Sequence, residues 1–172
     1  QIVGTEQSFR QLSQDEAGIE KLRATLMAQG AYLEEIETTY PYAGEWYDEA
    51  IQQLMNYGLI FGRYDNDLLV DNPSTVKYFT DLMAETMFRT NRSIYDANEA
   101  SILTVKQEAV DLAKEELTPE VALQVLTGML NVSAEELYAN AEFKEAWSYV
   151  DIEQQIQLKH VYSIAHALMS IE

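Results

Sequence analysis

The chain has 172 residues, 29 Asp and Glu against 11 Lys and Arg for a formal net charge of −18, and no cysteine. So acidic a surface repels nucleic-acid phosphates and anionic lipid, and the lack of thiols excludes disulfides, thiolate zinc, iron–sulfur clusters and cysteine nucleophiles. With 47% hydrophobic residues and no apolar run near the ~20 needed to span a bilayer, a single globular domain over 1–172 is expected.

Three prolines and seven glycines leave long stretches uninterrupted. Ser13-Gln14-Asp15-Glu16 reads as a capping box, and Ile19, Leu22, Leu26 and Leu33 follow at helical spacing up to the Tyr40-Pro41 break. A second helix is expected from about Trp46 to Tyr57. Trp46, Ala50, Ile51, Leu54 and Met55 form its apolar stripe, and Gly58 stops it. The stretch from Leu59 to Asp71 is not helical in pattern: it holds Gly62, an Asp65-Asn66-Asp67 turn and the short apolar run Leu68-Leu69-Val70, which reads as strand-like. Asn72-Pro73 reads as an N-cap with proline at the first helical position, ahead of a face carrying Val76, Phe79, Leu82, Met83 and Met87.

A polar joint is expected over about Thr90 to Ala100. Beyond it Ile102, Val105, Ala109 and Leu112 mark one helix, and Thr118-Pro119 starts another with Leu123, Leu126, Met129 and Leu130. Ser133-Ala134-Glu135-Glu136 is a second capping box, and a last helix is expected from about Ile152 through Ile156, Val161, Ile164 and Leu168. No alternating strand pattern stands out, so the expected fold is all-α, a compact multi-helix bundle with one Gly/Asp-rich turn segment between helices.

Residues Gly44 to Phe88 carry a recognisable skeleton: Trp46, Ala50-Ile51, Leu54, Gly58-Leu59-Ile60, Gly62, Asp65, Leu68, Asn72-Pro73, Thr75 and Phe79. In order and spacing it resembles an S-layer homology (SLH) repeat, covering about 44–90 and leaving a second helical half over about 100–172. Leu117-Thr118-Pro119-Glu120 is similar to a degenerate second-helix start of the same repeat, and Phe143 to Trp147 to a repeat entry. The resemblance implies a secreted, non-catalytic bacterial surface module. In that family an Arg near the start of the second helix helps to bind anionic wall polysaccharide. Here Val76 stands at that position, so weak binding to such a polymer is expected.

Other chemistry fits poorly. A calcium loop counted from Asp65 would need Gly and Glu where Val70 and Val76 stand. His160 and His166 lie six apart, off a common helix face, and no phosphate loop, nucleophile elbow or zinc motif is present, so neither enzyme, metal nor cofactor is expected. Asn91-Arg92-Ser93 and Asn131-Val132-Ser133 match the glycosylation pattern.

Binding is expected instead at the aromatic cluster Tyr42, Trp46, Tyr47 and Tyr57, with Arg63 and Lys77 as replacements for the missing Arg. Trp46 itself is expected in the core against Phe79 or Met83, with the tyrosines at its rim. The partner is another protein or a wall polymer, outside the cell or at its surface, and the start at Gln1 is taken to reflect removal of an upstream segment. The alternative is an acidic, immunity-type inhibitor acting in the cytoplasm on a basic partner.

Overall fold

The computed structural model describes residue 24, residues 41–61 and residues 68–172, and the chain divides into two units, Gln1–Pro41 and Tyr42–Glu172. The expected first helix, the Asp65-Asn66-Asp67 turn, Gly62 and Arg63 lie outside the described residues. Among its described residues the second unit contains eight helices and no strand: it is all-α.

The helices alternate between outer and inner. Outer α1 (Asp48–Asn56) leads to inner α2 (Val76–Thr90), and a short α3 (Arg92–Ala97) links α2 to outer α4 (Glu99–Val110). Inner α5 (Pro119–Leu130) follows, then the short α6 (Ala134–Tyr138) and α7 (Ala141–Ser148), and finally inner α8 (Leu158–Leu168). The inner helices are apolar around most of their girth. Helix α2 buries Phe79, Leu82, Met83 and Met87, α5 buries Val125, Leu126, Met129 and Leu130, and α8 buries Val161, Tyr162, Ile164 and Leu168. Outer helices bury one stripe or less, Ala50, Ile51 and Leu54 on α1 and only Ile102 and Ala109 on α4. Helix α2 packs against α8, α4 and α5; α8 packs against α1 and α7. The result is three outer-to-inner units, α1–α2, α4–α5 and α6/α7–α8.

These units meet where the inner helices begin. Each inner helix is preceded by an extended residue whose backbone is paired outside its own helix. The N–H of Ser74 donates to the Ile156 carbonyl at 2.9 Å, that of Ile156 to Leu117 at 3.0 Å, and that of Leu117 back to Ser74 at 2.9 Å, a closed ring of three hydrogen bonds. Ser74, Leu117 and Ile156 each stand two residues before the first residue of an inner helix, and all are buried. The ring gives the unit an approximate three-fold arrangement in which 116–118 and 155–157 are the counterparts of 73–75.

Caps fix each start. The Thr75 hydroxyl accepts from the N–H of Tyr78 at 3.1 Å, and Thr118 from Val121 at 3.2 Å with Pro119 at the first helical position. At α8 the cap residue is Gln157, whose N–H donates to Nδ1 of His160 at 3.2 Å. Ser133 caps α6 as its capping box predicts.

Several boundaries differ from those expected. Asn72-Pro73 does not start α2: both join the paired extended segment, Thr75 is the cap, and Pro73 bridges to Gln157. The run Leu68-Leu69-Val70 is a turn and not strand-like. Leu68 and Val70 are buried, while Leu69, at φ 51°, points outward and its carbonyl accepts from Asn72. The polar joint over 90–100 is helical as α3, and Leu112 lies beyond the end of α4. The last helix begins at Leu158, with Ile156 buried in the ring and Ile152 76% exposed. Gly58 does stop α1, at φ 67°, where a side chain would be strained. Its carbonyl and that of Tyr57 accept from Nη1 of Arg89, the last-turn arginine of α2.

Candidate functional site

Helices α1 and α7 both pack along α8, and a groove of about 490 Å³ lies among the three. Each helix contributes residues at spacings of three and four, so one face of each is involved. From α1 and its flanks come Trp46, Glu49, Ala50, Gln53 and Tyr57; from α7, Glu142, Glu145, Ala146 and Tyr149; from α8 and its end, Ser163, His166, Ala167, Met169 and Ser170. Ala50, Ala146, Ser163 and Ala167 are buried and form a floor of small side chains, which is why the three helices leave space instead of filling it.

The indole of Trp46 lies flat on Tyr149, with centroids 3.9 Å apart and planes at 6°, so the pair joins the α1 wall to the α7 wall. Its edge-to-face neighbour is Tyr47, and the His160 ring is 5.7 Å away. Burial, with the nearby Lys159 charge, holds His160 below the ordinary imidazole value of 6.5, against a backbone hydrogen bond with Tyr149 that works in the opposite direction. A neutral ring is what the α8 cap requires, because Nδ1 must accept.

The expected aromatic cluster is inverted by the fold. Tyr42 and Tyr47 are core residues, at 2% and 7% exposure, whereas Trp46 is half-buried and has Tyr47, Tyr149 and His160 as its ring neighbours. Burial is the main cause that pushes the Tyr47 hydroxyl up to about 12, helped by Glu45 and Asp71. Tyr57 is exposed at the groove. Lys77 does not reach it: on α2 its ammonium is tied to Asp81. The groove also takes in residues that sequence reasoning passed over, Glu142, Glu145 and Tyr149. The only local signal for them was their spacing of three and four next to the Phe143-to-Trp147 entry.

Both glycosylation-pattern asparagines are engaged internally. Nδ2 of Asn91 donates to the carbonyls of Leu168 and Ile171, and Nδ2 of Asn131, a left-handed cap of α5 at φ 56°, to Asn98 and Ser101. Among the described residues no cluster of three His, Asp or Glu side chains converges to hold a metal ion, and no helix is long and apolar enough to cross a membrane. Comparison with known proteins finds no matching family model, no similar curated protein and no matching solved structure.

Proposed function

We propose that the chain is a non-catalytic, SLH-like module of a bacterial surface that holds a protein partner in preference to an anionic wall polymer. The observation that carries this reading is the ring of Ser74, Leu117 and Ile156: it relates the one legible repeat over 44–90 to two further helix starts of the same design. At all three starts the first helical residue, Val76, Pro119 or Leu158, is without charge, so no guanidinium stands there to fork onto a carboxylate or phosphate. The neighbouring Lys77 and Lys159 are already paired with Asp81 and Asp71. The net charge of −18 adds repulsion toward an anionic polymer.

The test is retention of the protein on three supports: purified wall polysaccharide, surface-protein extract and cytosol. Saturable retention by a surface protein is expected, with little on the polysaccharide. Tight binding to the polysaccharide would overturn the reading. The acidic charge also favours a second reading, an immunity-type inhibitor, which predicts retention by a basic cytosolic protein.

A further inference from the structure

We propose that the groove between α1, α7 and α8 is the docking site for an extended segment of the partner rich in lysine or arginine, an inference that rests on the protein-binding reading above.

Charge complementarity argues for this occupant. The carboxylates of Glu49, Glu142 and Glu145 line the groove, and no ion pair is formed by any of them among the described residues. Four cations of the same unit, Lys77, Arg89, Arg92 and Lys159, are spent on other acids. Among the described residues no Lys or Arg lines the groove. Lys144 sits on α7 between two of the acids in sequence, yet its helical position turns it off their shared face. Glu142 and Glu145 are neighbours on that face, an arrangement of like charges that an isolated helix disfavours. The groove further takes in the C-terminal ends of α1, at Tyr57, and of α8, at Met169 and Ser170, where helix dipoles favour cations.

The spacing decides between one ion and many. The acids do not converge as a chelating cluster, so the complementary ligand carries its positive charges distributed along its length, as a basic peptide does. The floor of Ala50, Ala146 and Ala167 accepts a narrow chain; the exposed Tyr57 ring, at 49%, can stack on a guanidinium plane, and the outward edge of Tyr149, one face of which lies on Trp46, can cover lysine stems. A neutral sugar is less well served, because one face of the Trp46 indole is occupied by Tyr149.

Fluorescence anisotropy with a labelled, end-blocked peptide of alternating lysine and alanine tests the proposal on the full chain. Two triple variants of equal net charge are compared: Glu49→Gln/Glu142→Gln/Glu145→Gln in the groove, and Glu108→Gln/Glu115→Gln/Glu153→Gln away from it. The groove variant is expected to lose about tenfold in affinity or more and the distant one about twofold or less, with wild-type binding weakening steeply with salt. Binding should also shift the emission of Trp46, a shift lost in Trp46→Phe. Equal losses in the two triples, or no peptide binding at all, would overturn the proposal, as would displacement of the peptide by a neutral wall oligosaccharide. If the groove variant still retains the surface protein that wild type retains, the groove is wrong and the protein-binding reading stands. If wild type itself retains wall polysaccharide and no protein, that reading fails first.

Discussion

The ring where the inner helices begin and the groove where α1, α7 and α8 meet are built on opposite terms. At the ring, extended segments from three parts of the chain satisfy one another's backbone, bury Leu117 and Ile156 completely, and hand each helix to a cap. Among the described residues no buried side-chain polar atom lacks a partner. In the groove small residues leave space, aromatic rings are half-exposed and three carboxylates stand without a counter-ion among the described residues. The contrast separates what holds this unit together from what it can offer to another molecule. Satisfied, buried contacts cost a great deal to change, whereas solvated charges beside an open floor cost little and remain available for binding.

The contrast can be broken first at its rigid side. Leu117→Ala or Ile156→Ala removes a fully buried side chain from the ring and should destabilise the protein by about 2–5 kcal/mol in urea denaturation. A loss under about 1 kcal/mol would show that the ring does not organise the core. Trp46→Ala, at the boundary between the two regions, should cost less. Half-buried and stacked on Tyr149, Trp46 should give up about 1–2 kcal/mol, against the ~3–5 of a core aromatic.

His160 sharpens the comparison by pH. Its burial lowers the folded-state pKa below 6.5, so as the pH falls the unfolded chain takes up the proton first. The stability that depends on the neutral ring is therefore fully present above about pH 6.5 and is lost progressively below it. Urea midpoints measured between about pH 7.5 and pH 5.5 should fall for wild type and change less for His160→Gln, whose amide oxygen can still accept from Gln157. Parallel behaviour of the two proteins would remove His160 from the account. The smallest effect belongs to the groove. Glu49→Gln/Glu142→Gln/Glu145→Gln should leave stability within about 0.5 kcal/mol of wild type, with any change toward stabilisation as like charges are relieved.

Much of the fold was legible from local pattern. Thr118-Pro119 and Ser133 start helices where capping chemistry places them, Gly58 ends α1 in the conformation its missing side chain permits, and the stripe from Val76 to Met87 is the buried face of α2. The misplacements are of one kind. Asn72-Pro73 has every local mark of a helix start, but its backbone is claimed by Gln157 and Leu158, more than 80 residues away. Ile156 fits the helical period of α8, yet it is extended because Leu117 and Ser74 supply its backbone partners. Trp46 looked like a core residue by size and spacing. Tyr42 and Tyr47 took the buried places, and the indole was left to Tyr149, from a helix over 90 residues downstream.

Local pattern was enough for the helical class, for the helix starts at Thr118-Pro119 and Ser133, for the stop at Gly58 and for the acidic charge, because periodicity, capping and formal charge depend on residues within a turn or two of one another. Long-range packing set the rest: three helix starts close into one ring, Lys159 is engaged by Asp71, and Glu49, Glu142 and Glu145 line a common groove beside Tyr57 and Tyr149. Those facts depend on which backbone groups find partners across the chain and on where small side chains leave three helices unable to fill the space between them.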